Sequence, residues 1–412
     1  MYADFNRALT FAQELIRIPS VSGAEGEVAL RTVQELKRLR FDDVWIDAVG
    51  NVVGRVRGRR GGPTVMLGAH LDTVDVGDSG TWEHPPYAAE VRDGFLHGRG
   101  AMDIKGPLAL LTYAAAQFVS ARPDGDVYVG FTVLEERGAM GMDYLMTQGE
   151  LCPDVVILGE ATNGDICIGH RGRLELVVEV RGVAAHASAP HRARNPLHLL
   201  PEVITAVGEF AGNLSSDPIL GPSTLSITDV DATPKTRNVI PGVARVVLDW
   251  RVLPGQTIEA ALDLLRAFLR ERVPPREGFT LTVEHSRERL RTYTNFECDY
   301  PVFTPAFLVE SMHPAVGIAV QTVKEVTQRT PAVRPWTFST DGGFTCGTHG
   351  VVTLGYAPGE ERFAHTDRER LEVSGARTAY GVYPRLVRAL QAGVAPTRPA
   401  LAAPALACVE AV

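Results

Sequence analysis

The 412-residue sequence has few cysteines and no long apolar run. Its five cysteines form no C-x-x-C pair, and this odd, dispersed set predicts reduced thiols in an intracellular compartment. No stretch approaches the roughly 20 apolar residues that cross a bilayer. Charged residues interrupt positions 1–20, where a signal peptide needs its apolar core. These absences predict a soluble, cytoplasmic protein with no membrane partner.

The sequence is also poor in lysine and has no basic patch. Lysine occupies only Lys37, Lys105, Lys235 and Lys324, so arginine supplies most of the 41 basic residues. The arginines are scattered along the chain, and the formal net charge is −8. Because nucleic-acid binding needs concentrated positive charge, this distribution argues against a nucleic-acid partner.

Length and apolar patterning predict two domains, since 412 residues exceed what one hydrophobic core usually serves. In residues 1–171 and 291–395, apolar runs such as "TVMLGAH" alternate with helical patterns, which predicts an α/β domain whose mostly parallel sheet is flanked by helices. Residues 172–290 follow the order β-α-β-β-α-β, typical of an inserted ferredoxin-like α+β domain. Residues 396–412 form an Ala/Pro-rich tail that we expect to be poorly ordered.

Residues that can bind metals or transfer protons follow several of the apolar runs. Ligands of open α/β sheets bind beyond the carboxyl ends of the strands. The residues found there, or at the start of the following helix, are His70, Asp72, Asp103, Glu135, Glu136, Glu160 and His365. Taken singly, each has a simpler explanation: a core histidine for His70, a helix N-cap for Asp103, a solvated edge for the paired glutamates and an arginine partner for Glu160.

Taken together, these residues predict a site for two metal ions, because carboxylates gathered at one rim repel each other unless a cation is present. His70, His365, Glu136 and Glu160 divide into two terminal ligands for each ion, with Asp103 bridging. Nitrogen and oxygen ligands in roughly four-coordinate sites suit zinc. Two ions about 3.5–4 Å apart recur in hydrolases. We therefore expect two Zn²⁺ per chain, with Co²⁺ able to substitute.

The two remaining acidic residues have separate predicted roles. Glu135 precedes the ligand Glu136, and in an extended backbone the two side chains diverge, so Glu135 can face the attacking water as a general base. Asp72 lies two residues after His70 and is predicted to accept the other N–H of the imidazole, which fixes the tautomer.

Six segments carry a family resemblance. In chain order, "GAHLDTV", "GRGAMDIKG", "LEERGAMG", "ILGEAT", "RNVIPG" and "AHTD" resemble the acetylornithine deacetylase, succinyl-diaminopimelate desuccinylase and glutamate carboxypeptidase family of dizinc metallopeptidases. The resemblance implies the same five zinc ligands and the same roles for Glu135 and Asp72. It also implies a cis peptide bond between Asp103 and Ile104.

The resemblance further implies that the inserted domain serves as a lid and as the interface of a homodimer. It implies a lid histidine at His186, in "GVAAHASAP", and residues that grip a substrate carboxylate at Asn238 and Arg251. From the residues alone, a surface histidine is the preferred explanation of His186, and a surface ion pair explains Arg251 equally well. His170 and Arg171 either contact the substrate or form a hinge.

The function predicted from these observations is metal-dependent hydrolysis of an amide bond in an N-acyl amino acid or a short peptide. One alternative is a carbamoyl-amide hydrolase of the allantoate type, for which we expect a different sequence around the bridging aspartate than "GRGAMDIKG". Another alternative is a catalytically inactive, metal-stabilised binding protein, which would lack a ligand or the general base; neither is missing from this sequence.

Overall fold

A computed structural model describes residues 4–148 and 151–396 and divides the chain into two compact units. Unit 1 comprises Met1–His170, Arg289–Cys298 and Leu308–Val412, and unit 2 comprises Arg171–Glu288 and Asp299–Phe307. Residues 299–307 were predicted to belong to the first domain. They belong to unit 2 because Phe303–Thr304 pairs with the strand Arg173–Arg181. Residues 397–412 of the Ala/Pro-rich tail lie outside the described residues.

Unit 1 is built on an eight-stranded sheet. Its strands are β1 (Asp43–Ile46), β2 (Val52–Val56), β3 (Gly62–His70), β4 (Gly125–Thr132), β5 (Val155–Leu158), β6 (Ile166–Cys167), β7 (Val333–Arg334) and β8 (Val352–Gly355). They lie in the order β1-β2-β4-β3-β5-β8-β6-β7. The central strands β4, β3, β5 and β8 run parallel, so their carboxyl ends meet at one edge.

The helices of unit 1 flank this sheet. They are α1 (Phe5–Ile16), α2 (Gly26–Arg38), α3 (Lys105–Ser120), α4 (Met140–Gln148), α5 (Pro314–Thr327) and α6 (Val373–Gly393). Helix α3 is apolar along nearly its whole length and is correspondingly buried, packed against α1, α6 and β3. The predicted α/β class with a mostly parallel central sheet is confirmed. Within residues 4–148 and 151–396, every helix is too short or too polar to cross a bilayer.

Unit 2 contains four long antiparallel strands, Arg173–Arg181, Thr224–Thr233, Val243–Arg251 and Thr280–His285, and two helices, Leu200–Ala211 and Ile258–Arg272. Along the chain their order is β-α-β-β-α-β, and in the sheet the strands lie in the order second, third, first, fourth. Alternate residues of the first strand, from Leu174 to Val180, are buried in the core that the two helices cover.

Candidate metal centre and active site

The five predicted metal ligands lie together at the carboxyl edge of the central strands. His70 Nε2 is 3.2 Å from Asp103 Oδ1 and 3.5 Å from Glu160 Oε1. His365 Nε2 is 3.2 Å from Asp103 Oδ2 and 3.0 Å from Glu136 Oε1. The residues form two triads, each with ligand atoms within 4.8 Å of one another, and Asp103 belongs to both. The two oxygens of Asp103 thus face different histidines, as a bridging carboxylate requires.

The backbone at these positions explains how side chains from distant parts of the chain come together. His70 is the last residue of β3, and Glu160 follows β5 by two residues. The cis peptide bond between Asp103 and Ile104 that the resemblance implies is present. Helix α3 begins at Lys105 with Ile104 at its N-cap, so the carboxylate of Asp103 is turned toward the histidines rather than capping the helix.

The two adjacent glutamates lie on a turn, and not on the extended backbone predicted from the sequence. Strand β4 ends at Thr132, Leu134 has a left-handed φ of 55°, and Glu135–Arg137 form one turn of 3₁₀ helix. The turn brings Glu136 to His365, while the carboxyl of Glu135 interacts electrostatically with His70. The two glutamates therefore have different neighbours, as predicted. The cause is the turn that follows the left-handed residue Leu134, and not an extended backbone.

Asp72 holds both the imidazole of His70 and the glutamate turn. Nδ1 of His70 is 2.9 Å from the backbone carbonyl oxygen of Asp72 and 3.5 Å from its Oδ1, so the nearer acceptor is the main chain. An Nδ1–H that donates to this carbonyl leaves the Nε2 lone pair facing Asp103. The buried carboxylate of Asp72 accepts from Ser22 Oγ (2.7 Å) and from the backbone N–H groups of Glu135 (3.1 Å) and Glu136 (3.2 Å).

The electrostatics of the site fit a cation. Burial raises the pKa of Glu135 and of Glu160 well above its ordinary value, and nearby carboxylates add to the effect. Hydrogen bonds to Asp103 and Glu136 raise the pKa of His365 to about 10. Burial and repulsion between carboxylates thus both disfavour negative charge on these glutamates in the protein alone. A divalent cation in each triad would compensate that charge.

Three further buried carboxyl groups near the site were missed in the sequence analysis. Asp341 Oδ2 accepts from Thr132 Oγ1 (2.8 Å), and burial raises its pKa to about 7. Burial, helped by the charge of Asp72, raises the pKa of Glu25 to about 7. Glu369 accepts from the backbone N–H of Asp103 (3.2 Å). Only Glu369 has a signal in the sequence, its position four residues after the predicted ligand His365.

The predicted substrate-binding residues lie in unit 2, where two of them are neighbours. Ala185–His186 pairs with Val239–Ile240, and the backbone N–H of Ala187 donates to the carbonyl oxygen of Asn238 (2.9 Å). His186 is exposed, and its Nδ1 accepts from the backbone N–H of Ser188 (3.1 Å), so the neutral ring carries its proton on Nε2.

Arg251 is engaged within unit 2 by an acidic neighbour. Its Nε donates to Asp249 Oδ1 (2.8 Å), which is the ion pair that the residues alone suggested as an alternative to substrate binding. The substrate-binding roles of Arg251, His186 and Asn238 stay predictions.

Together, the α/β fold and the paired histidine–carboxylate triads define a metallopeptidase-type hydrolase. Residues 66–389 match the peptidase family M20/M25/M40, and the chain belongs to this family. It is 30% identical over 384 residues to the uncharacterized protein YgeY of Escherichia coli K12, covering 92% of this chain and 93% of YgeY. It is 31% identical over 399 residues to a succinyl-diaminopimelate desuccinylase of Phenylobacterium zucineum, covering 92% and 97% of the two chains.

Solved structures share the fold at low sequence identity. The M20 metallo-carboxypeptidase Sso-CP2 of Sulfolobus solfataricus superposes with a TM-score of 0.72 at 17% identity, covering 93% of this chain and 99% of that one. YXEP of Bacillus subtilis, a dinuclear metal-binding peptidase of the M20 family, gives a TM-score of 0.70 at 16% identity, with coverage of 95% and 99%.

Proposed function

We propose that this chain is a two-zinc amidohydrolase that cleaves the amide bond of an N-acyl amino acid or a short peptide. The observation that carries the proposal is the pair of triads that share Asp103. His70 and Glu160 would hold one ion, Glu136 and His365 the other, and Asp103 both. Bound zinc ions would polarise the substrate carbonyl. They would also lower the pKa of water, so that it can lose a proton and attack near neutral pH.

Glu135 is assigned the proton transfers. It is partly buried, its carboxyl interacts electrostatically with His70 and Glu160, and it belongs to neither triad. In the proposed reaction it takes a proton from the attacking water and delivers that proton to the leaving amine. Asp72 supports it indirectly, since its carboxylate accepts the backbone N–H of Glu135.

The proposed substrate class rests on the chemistry of the site and on the names of similar proteins. The Phenylobacterium relative is named for removal of a succinyl group, and Sso-CP2 is named as a carboxypeptidase; both names refer to amide cleavage. The test is a panel of N-acetyl amino acids, N-succinyl amino acids and dipeptides, assayed with protein that contains both ions. Hydrolysis of at least one class supports the proposal, and failure of all three with both ions bound contradicts it.

Removing the metal is expected to abolish activity. Dialysis against a chelator should leave protein without measurable turnover, and adding Zn²⁺ or Co²⁺ should restore it, because the proposed reaction relies on the ions to polarise the carbonyl and to lower the pKa of water. Elemental analysis of the active protein should approach two ions per chain. Full activity in protein verified to be metal-free would refute the two-metal proposal.

We further propose a homodimer formed through unit 2, in which His186 serves the partner's site. In support, the strand Thr224–Thr233 lies at one edge of the unit 2 sheet and exposes Ile227 and Val230, and an exposed edge strand is a ready surface for pairing with another chain. The Nε2–H of His186 is suited to donate to a substrate oxygen as negative charge develops there.

Substituting His186 by alanine is expected to lower kcat by about 10²–10³-fold, the usual cost of one lost oxyanion donor, without changing zinc content. Mixing this inactive variant with inactive Glu135→Gln protein tests action in trans. A mixed dimer then contains one site with an intact Glu135 and an intact His186 from its neighbour, so activity should partly return. Confirmed subunit exchange with no recovery would show that His186 does not serve the partner's site.

A further inference from the structure

A buried glutamate, Glu369, belongs to neither triad but is linked through the backbone to a member of each. The side chain of Glu369 lies under the turn that carries Asp103, with the residue only 1% exposed. Its Oε1 accepts from two successive backbone N–H groups, those of Met102 (3.1 Å) and Asp103 (3.2 Å). Its Oε2 accepts from Arg99 Nη1 (2.6 Å).

This arrangement meets a specific need of the turn. Met102 and Asp103 are both buried, and a buried N–H without a partner costs about as much as a lost hydrogen bond. The helical ladder of α3 begins only at Lys105, so it supplies no acceptor for these two groups. One carboxylate satisfies both, and Arg99 balances its charge.

Two further interactions support the contact between Glu369 and the turn that carries Asp103. The backbone N–H of Gly98 donates to the carbonyl oxygen of Glu369 (3.2 Å), so main chain and side chain both join residues 98–103 to residue 369. The guanidinium of Arg99 lies 5.0 Å from the ring centroid of Trp82, which restricts the position of the charge that Glu369 meets.

The position of Glu369 in the chain gives this contact a consequence for the metal centre. His365, a member of the second triad, lies four residues earlier on the same segment, while Asp103 is the residue that the two triads share. We propose that Glu369 is a positioning residue that sets the placement of Asp103 relative to His365 and thereby the affinity of the paired metal sites. The inference rests on the proposed two-metal function.

The test is metal affinity in Glu369→Gln, which keeps the shape of the side chain but removes its charge. Metal-free protein is titrated with Zn²⁺ against a chromophoric chelator, and its absorption spectrum is recorded with Co²⁺. Replacing an outer partner of a metal ligand typically weakens metal affinity about 10–100-fold, which is the expected loss here, with an altered Co²⁺ spectrum. The matched control is Glu372→Gln, because Glu372 is exposed and lies three residues further on.

A second variant guards against a folding defect. Glu369→Asp keeps the negative charge beside Arg99 but withdraws the carboxylate by one methylene from the two N–H groups, and it should lose affinity as well. If wild-type protein and both variants bind two ions equally well, Glu369 does not position the site, even if the variants melt at a lower temperature. If wild-type protein binds no ions, the two-metal function itself fails, which is a different result.

Discussion

Substituting Glu135 by glutamine is expected to lower kcat by about 10²–10⁴-fold while both metal ions stay bound. Glutamine has the same shape but cannot accept the proton of the attacking water, so the chemical step loses its base. Metal content should survive because Glu135 belongs to neither triad. Steady-state kinetics and elemental analysis of the same preparation check both parts.

The neighbouring residue provides the matched control. Glu136→Gln changes the same chemical group one position along the turn, but its Oε1 is the atom that lies 3.0 Å from His365 Nε2. It should reduce metal occupancy, and added zinc should partly restore its activity. If Glu135→Gln loses metal while Glu136→Gln keeps it, the two assignments are reversed.

Substituting Asp103 by asparagine is expected to remove both ions and to leave no measurable activity. The two oxygens of Asp103 face His70 and His365 separately, and an amide offers only one oxygen and no charge to replace them. His365→Ala should be milder for metal content, because it takes a ligand from one triad only. Elemental analysis distinguishes the two variants by the number of ions retained.

An exposed aspartate serves as the control for charge alone. Asp263 has a side chain that is 80% exposed on a helix of unit 2, so Asp263→Asn should keep both ions and full activity. Retention of two ions by Asp103→Asn would contradict a bridging role for this residue.

The residues of the two triads were predictable because of where they stand in the sequence. His70 and Glu160 follow buried apolar runs, and such runs become parallel strands whose ends meet at one edge. The α/β class followed from the same runs. The combination of motifs, rather than any one residue, favoured a metal site over a set of ordinary surface charges.

The supporting contacts were not predictable from residue types and spacing. The bonds from Asp72 to the N–H groups of Glu135 and Glu136 depend on the left-handed backbone at Leu134, which the strand pattern of "DVYVGFTVLEE" does not indicate. The pairing of Glu369 with the Asp103 turn joins positions 266 residues apart, and no local rule connects them. Such contacts arise from tertiary packing.

The place of β8 in the sheet bears on how the protein is made. Val352–Gly355 pairs with β5 on one side and with β6 on the other, yet the ribosome delivers β8 only after all of unit 2. Domains generally fold in order of synthesis, so the edges of β5 and β6 that later pair with β8 are expected to stay unpaired while unit 2 folds. His365 emerges later still, so the second triad is complete only after both β8 and this segment have been synthesised.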